Sequence, residues 1–249
     1  LFALTYGLIE ANNYGWCSAR IVGSFVVAAV ALVVFVQLER HRRAPMLDLT
    51  LFRNRTYVGA NLAMLLVALA MFGVFFFVSL YMQNVLGYSA VEAGAAFLPM
   101  TVLIILIAPL AGRASDRWGS RWLITGGMVL LAVQLAYFSQ LSDDSTFWVL
   151  LPALVLGGFG MSMTMTPSSA AAMRAVPVEK AGIGSAVLNA CRQVGGSTGI
   201  ALMGAIMASR LTSPPTTASF MDGFELALLV ASVIALAGAI TAAALIRPH

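Results

Sequence analysis

Charged residues are scarce in this sequence. Charged residues occupy 10% of its 249 positions, whereas a soluble domain carries about 25%. Hydrophobic residues occupy 60% of the positions, and the mean hydropathy is +0.92. A soluble domain of this length has no use for so much apolar surface, so we expect the solvent around the folded chain to be lipid.

Cysteine and histidine are scarce as well, which excludes several kinds of site. Cys17 and Cys191 are too far apart to suggest a zinc motif or a disulfide framework, and we expect both to be inert. The sequence has no metal-binding cluster, no P-loop and no dinucleotide-binding fingerprint. It therefore predicts no cofactor and no ATP-driven pumping by this chain.

One apparent enzyme motif is a coincidence. The run GGSTG at 195–199 matches the Gly-x-Ser-x-Gly pattern of hydrolases. That chemistry needs a strand-to-helix elbow and a positioned base, whereas this run lies inside a predicted helix. The only histidines are His41, in a loop, and His249, at the end of the chain. We therefore expect no enzyme.

Long uncharged runs predict membrane spans, each of which needs about 20 mainly apolar residues. After 147–167 we expect a Pro- and Ser-containing exit. The first nine residues are too short to cross and lead through Glu10 into a turn-like ANNYG. They resemble the tail of an eighth helix of a longer membrane protein, and no signal peptide is visible. The seven predicted spans are 21–38, 57–80, 93–112, 122–142, 147–167, 182–208 and 226–246.

The basic residues predict the orientation. Arg20 and Arg210 fall on one side of the predicted membrane, and Arg192 lies inside a span. Because positive loops stay in the cytoplasm, the opposite and richer side is inside, and so is the C-terminus. The net charge of +4 thus reflects topology rather than binding of nucleic acid. The cytoplasmic side receives Arg40, Arg42, Arg43, Arg53, Arg55, Arg113, Arg117, Arg121, Arg174, Lys180 and Arg247.

The run GRASDRWGSR at 112–121 falls between two of these spans. It predicts a tight cytoplasmic turn, in which Gly112 and Gly119 allow close approach and unusual dihedral angles. Asp116 can cap the start of a helix or pair with Arg113 or Arg117. The residues alone leave two alternatives open, a capped turn that only sets topology and a loop that gates transport.

The pattern Gly-x-x-x-Asp-Arg-x-Gly-x-Arg resembles the second copy of the loop signature of the major facilitator superfamily. The stretches 80–99 (LYMQNVLGYSAVEAGAAFLP) and 182–201 (GIGSAVLNACRQVGGSTGIA) resemble its 14-span drug:proton antiporter branch. The stretch 36–55 resembles the loop that leads from the two extra central helices into the C-terminal bundle. The copy departs from the signature at Ala114, where Leu is usual, and at its end, where two basic residues are common.

The resemblance implies a role for this loop in conformational gating. Asp116 would form a charge-relay lock with neighbouring helix ends and hold the outward-open state. The gating residues implied are Gly112, Asp116, Arg117, Gly119 and Arg121.

A polar face is predicted on the span 182–208. Its members follow one another at helical spacing, and polar groups face lipid only at a cost, about 2.5–3.5 kcal/mol for a central Arg. The face therefore lines a hydrated cavity or packs against protein, and Gly195-x-x-x-Gly199 permits close helix packing. Arg192 could instead reach the membrane surface or cap carbonyls. The predicted set is Ser185, Asn189, Arg192, Gly196 and Gly199, with Gln193 beside it.

Carboxylates are absent from the centres of the spans. All ten acidic residues lie in loops or at span ends, whereas a proton-driven exchanger needs a titratable group with alternating exposure. We therefore expect the proton carrier in a missing N-terminal half, which would be the principal partner of this chain.

The sequence as a whole predicts an all-α transporter portion in the cytoplasmic (inner) membrane. Residues 1–38 would hold the end of one linker helix and a second full one, 39–56 a basic loop, and 57–249 the C-terminal six-helix bundle. The resemblance implies proton-coupled efflux of small hydrophobic or amphipathic drugs. An exporter of a native metabolite and a non-transporting scaffold or remnant are the alternatives, the last because a fold does not determine a function.

Overall fold

A computed structural model describes residues 2–15, 17–41, 49–211 and 216–246. Within these ranges the chain forms nine α-helices and two short 3-10 turns, with no β-strand. The prediction of an all-α protein is confirmed. The helices are α1 (Phe2–Tyr14), α2 (Ala19–His41), α3 (Arg55–Asn84), α4 (Ala90–Ala96), α5 (Leu98–Trp118), α6 (Ser120–Phe138), α7 (Phe147–Arg174), α8 (Ala181–Arg210) and α9 (Thr217–Leu245), and the 3-10 turns are Leu49–Arg53 and Val178–Lys180.

Six helical segments in the described ranges are long and apolar enough to cross a membrane. They are α2, α3, α6, α7, α9 and the segment Ala90–Trp118, which joins α4 and α5. Each matches one predicted span, so the chain is a multi-pass membrane protein. The seventh predicted span, 182–208, coincides with α8, a helix of 30 residues. Its glycines and polar residues make α8 less apolar than the other six.

Several helices run further than the sequence predicts. The turn expected at ANNYG is wrong, because α1 is helical through Tyr14. The exit expected after 167 is also wrong, because α7 continues through Pro167 to Arg174. Proline is tolerated inside membrane helices because neighbouring groups satisfy the backbone carbonyl that it frees.

Helix α3 occupies the centre of the bundle and packs against α7, α8 and α9. It is 61% buried over its most apolar stretch. A Cβ atom at Gly195 would collide with the Leu65 carbonyl, and one at Gly199 with the Leu69 carbonyl. Both pairs advance in the same direction, so α3 and α8 run parallel in close contact, which confirms the packing predicted for the two glycines.

Helix α5 lies at one side of the bundle and packs mainly on α7. Only 17% of the most apolar window of Ala90–Trp118 is buried. The outward face of this segment is a row of exposed apolar side chains: Leu98, Val102, Ile105, Leu106 and Leu110.

Helices α1 and α2 stand apart from the rest. They pack against each other, and α1 also contacts α8. Only 11% of the most apolar window of α2 is buried, so most of this helix faces away from protein.

The start of α3, the end of α5, the start of α6, the end of α7 and the start of α8 lie together. Asn54 Nδ2, at the start of α3, donates to the Ala175 carbonyl after α7 at 3.4 Å. We call this the basic end, because it carries Arg53, Arg55, Arg113, Arg117, Arg121, Arg174 and Lys180. Arg42, Arg43 and Arg247, which were predicted for the same side, lie outside the described residues, and the cytoplasmic placement of this end stays a prediction.

Candidate functional site

The predicted turn at 112–121 is almost entirely helical. Helix α5 continues to Trp118, α6 begins at Ser120, and Gly119 alone lies between them with φ 83° and ψ 149°. A positive φ strains residues that carry a Cβ, so glycine suits this reversal. The expectation for Gly119 is thus confirmed. Gly112 is an ordinary helical residue, and a Cβ there would lie 3.5 Å from Thr166 Cγ2, a normal contact.

A single arginine from another helix joins the two sides of this reversal. Arg174 Nη1 donates to Asp116 Oδ1 at 2.8 Å. Arg174 Nη2 donates to Ser115 Oγ at 3.1 Å and to Ser120 Oγ at 2.8 Å. These four residues, which we call the Arg174 clamp, tie the end of α5, the start of α6 and the end of α7 together.

The interior of the clamp is shielded, whereas its ion pair is open. Ser115 and Ser120 are 1% and 2% exposed, and their hydroxyls lie 2.8 Å apart. The ion-paired side chains of Arg174 and Asp116 are 39% and 69% exposed. Arg174 is the last residue of α7, where the helix dipole also favours a positive charge. The hydrogen bonds to the buried serines therefore contribute more to this junction than the exposed ion pair.

The clamp corrects the partners predicted for Asp116. Helix α6 has no side-chain cap, and the carboxylate pairs with Arg174 rather than with Arg113 or Arg117. Arg174 was predicted only as a topological charge, and Ser115 and Ser120 were not predicted as site residues. The two charges are 58 residues apart in sequence, so local spacing gives no sign of their contact.

The other signature residues lie outside the clamp. Arg113 and Arg117 are exposed and line a surface groove of about 540 Å³ with Leu110, Asp116 and Trp118. Arg121 stacks over the Trp122 ring at 5.3 Å. Its Nε atom is buried and has no hydrogen-bond partner among the described residues. Of the predicted gating set, the structure thus brings only Asp116 into the Arg174 clamp.

The predicted polar face of α8 divides into two parts. Gly199 contacts α3 closely, and Gly196 lies against the Phe72 ring. Asn189 and Gln193 are exposed. The expected face therefore packs through its glycines, while its amides remain on the surface.

The two remaining polar residues of the α8 set are less exposed than the amides and less buried than the glycines. Ser185 is half-buried and its hydroxyl donates to the Gly182 carbonyl at 3.1 Å within the same helix. Arg192 is also half-buried, and its Nε atom has no partner in the described ranges. That atom caps no carbonyl here.

Gln134 is a buried polar residue that is not among the predicted site residues. It is 0% exposed in α6, and neither its Nε2 nor its Oε1 has a partner among the described residues. Its amide fills the space that a Cβ at Gly157 of α7 would need. A glutamine in the middle of the apolar run 122–142 was the available signal.

Candidates for a metal centre are absent from the described ranges, where no three His, Cys, Asp or Glu side chains come together. Both cysteines are free, with Cys17 exposed and Cys191 half-buried. Gly195–Gly199 lies inside α8, which rules out the strand-to-helix elbow of a hydrolase at this run.

Comparison with known proteins places the chain among membrane transporters. The chain is 34% identical to multidrug resistance protein Stp of Mycobacterium tuberculosis over 85% of its own length and 39% of that relative. It is 35% identical to the tetracenomycin C resistance and export protein of Streptomyces glaucescens over the same shares. It is also 32% identical to the puromycin resistance protein of Streptomyces alboniger, over 99% of its own length and 51% of the relative.

The chain thus spans between about two fifths and one half of the length of these relatives. The family model described as Major Facilitator Superfamily matches residues 2–200 and 60–249, which together cover nearly the whole chain. With its all-α bundle of apolar helices, the chain belongs to the Major Facilitator Superfamily.

Proposed function

We propose that this chain forms the C-terminal bundle of a secondary exporter that moves hydrophobic or amphipathic drugs outward in exchange for protons. The observation that carries the proposal is the agreement among its relatives. Proteins named for multidrug resistance, tetracenomycin C export and puromycin resistance are each about one third identical to this chain over most of its length. The efflux activity and substrate class belong to the whole protein, of which this chain supplies one wall.

The other wall would come from an N-terminal half. The apolar row on α5, from Leu98 to Leu110, is exposed in the chain as described, and so are Asn189 and Gln193 on α8. In transporters built from repeats, substrate sites lie near the membrane midplane at the interface between repeats. We place the drug pathway between the N-terminal half and this bundle, with Arg192 and the two amides facing it.

In this proposal the Arg174 clamp gates the basic end. Moving the end of α7 away from α5 and α6 requires that the Arg174 guanidinium leave Asp116, Ser115 and Ser120. The clamp therefore favours the state in which this end is closed, which is the outward-open state when the basic end is cytoplasmic. Substrate or proton binding would have to supply the differential free energy that breaks it.

The proton carrier is placed in the N-terminal half. In this chain Asp116 is exposed at the basic end and paired with Arg174. At the opposite end, Asp222 and Glu225 line a shallow surface groove with Arg210. None of these carboxylates occupies the middle of a span, where alternating exposure to the two sides would be required.

The test is drug transport by the full-length protein in proteoliposomes with an imposed pH gradient. Ethidium or puromycin should move against its gradient, and dissipating the pH gradient with nigericin should stop it. Drug movement that continues unchanged after nigericin is added would refute proton coupling but not drug efflux. Correctly inserted protein that moves neither compound nor any other lipophilic drug would refute drug efflux itself.

A further inference from the structure

A second cavity lies between helix α2 and the bundle, and none of the residues that we place on the drug pathway lines it. Its volume is about 760 Å³, within the range of about 300–1,000 Å³ that is usual for small-molecule sites. Helix α2 packs chiefly on α1, and α1 contacts α8, so α2 is held off the bundle and the space opens beneath it. The lining includes Phe25, Leu32 and Phe35 of α2, Phe52, Leu65 of α3 and Cys191 of α8.

The lining of this cavity is almost purely apolar. Its side chains are those of Ala, Val, Leu and Phe, and the thiol of Cys191 is the only heteroatom that a side chain contributes. Such a surface offers no hydrogen-bonding group that could orient a polar ligand. It fits a hydrocarbon chain, which can contact apolar walls without burying an unpaired polar group.

The mouth of the cavity lies at the basic end, where exposed arginines border it in sequence and Glu39 of α2 is buried. Phe52 belongs to the lining, and Arg53 and Arg55 follow it closely in sequence with exposed side chains. Arg40 is exposed at the end of α2, five residues or about 7.5 Å along the helix beyond Phe35. In the described part of the chain none of these three arginines forms an ion pair, since the one such pair joins Arg174 and Asp116.

We infer that this cavity binds an anionic phospholipid, with an acyl chain against Phe35 and Cys191 and the phosphate on Arg53 and Arg55. The charge of the mouth selects this occupant. A neutral drug could fill the apolar part but would leave the arginines unused, whereas a phosphate accepts paired hydrogen bonds from guanidinium groups. The site would anchor α2 to the bundle through lipid, and the inference stands whatever the protein transports.

The first experiment measures lipid retention by the full-length protein with native mass spectrometry. We expect more retained phosphatidylglycerol than phosphatidylcholine. Because each arginine near a membrane surface contributes about fivefold to binding of anionic lipid, the double variant Arg53→Gln/Arg55→Gln should retain phosphatidylglycerol about 25-fold more weakly. The matched control is Arg113→Gln/Arg117→Gln, which removes two exposed arginines of the same basic end. Equal losses in the two double variants, or no preference between the lipids, would overturn the inference.

The second experiment uses the thiol inside the cavity. With every other cysteine replaced by Ser, Cys191 should react with a small membrane-permeant maleimide several-fold more slowly in phosphatidylglycerol nanodiscs than in phosphatidylcholine. Ala190→Phe, which keeps all the arginines and fills part of the cavity, should lower phosphatidylglycerol retention. Protection of Cys191 by ethidium but not by phosphatidylglycerol would identify a drug site and refute the lipid assignment.

Discussion

Replacing Arg174 with Ala should destabilise the junction of α5, α6 and α7 far more than replacing Asp116. Arg174 makes three hydrogen bonds, one to the exposed Asp116 carboxylate and two to the buried hydroxyls of Ser115 and Ser120. Asp116→Ala removes only the first. The comparison therefore separates the exposed ion pair from the shielded serine contacts.

The magnitudes follow from exposure. An ion pair between exposed groups contributes about 0.2–1 kcal/mol, so Asp116→Ala should cost no more than about 1 kcal/mol. A hydrogen bond from a charged donor contributes about 1.5–3 kcal/mol, but Ser115 and Ser120 keep their mutual contact at 2.8 Å when Arg174 is removed. We therefore expect Arg174→Ala to cost about 2–3 kcal/mol in total.

The assay measures the stability of the full-length protein against unfolding in two ways. One heats the protein in a mild detergent, and the other traps its unfolded state reversibly in bilayers. Each kcal/mol should lower Tm by roughly 2–4 °C for a unit of this size. In a Ser115→Ala/Ser120→Ala background, Arg174→Ala should cost no more than Asp116→Ala does alone. Arg113→Ala is the control, because Arg113 is exposed one turn earlier on α5 and should be nearly neutral. An Arg174→Ala cost equal to that of Arg113→Ala or Asp116→Ala would refute this account of the clamp.

Four further outcomes are expected. Asp116→Asn should insert normally but lower efflux if the clamp gates transport, and an unchanged efflux rate would favour a purely topological role. Arg192→Lys and Arg192→Ala should both reduce efflux at normal expression, with Ala the worse. Arg192→Cys tests the hydrated cavity: if no small water-soluble thiol reagent labels this cysteine in any transport state, the cavity is excluded. Gly199→Leu should prevent α8 from packing on α3, which should cost about 1–3 kcal/mol or more of stability and lower the folded yield. Gly182→Leu should be tolerated, because a Cβ there meets nothing within 4 Å. Residues 1–249 alone should move no substrate in vesicles, and drug-dependent proton flux from them would refute the two-half model.

Much of the helical framework can be predicted from the sequence because membrane helices satisfy their own backbone hydrogen bonds. A run of apolar residues must then form a helix wherever it meets lipid, which is why the predicted spans find their counterparts. The predicted ends are less accurate. Helix α5 continues to Trp118 because a charged residue ends an apolar run without ending a helix, and α7 continues past Pro167 to Arg174 because a proline does not have to end a membrane helix. Close packing of α8 on a neighbouring helix is also visible in advance, since Gly195 and Gly199 share one helix face and leave room for a backbone, but only the structure identifies α3 as that neighbour.

The partners of the charged residues were decided only by the tertiary structure. Asp116 offers an acceptor that any nearby arginine can use, and Arg113 and Arg117 are the obvious choices by spacing. Arg174 becomes the partner because α7 runs beside α5 and ends at the same depth, a consequence of side-chain packing along both helices. Likewise, the sequence predicts for Arg53 only a role in membrane topology. Arg53 lies near a cavity because α2 packs on α1 rather than on α3, and no pattern along the chain predicts a gap between two helices.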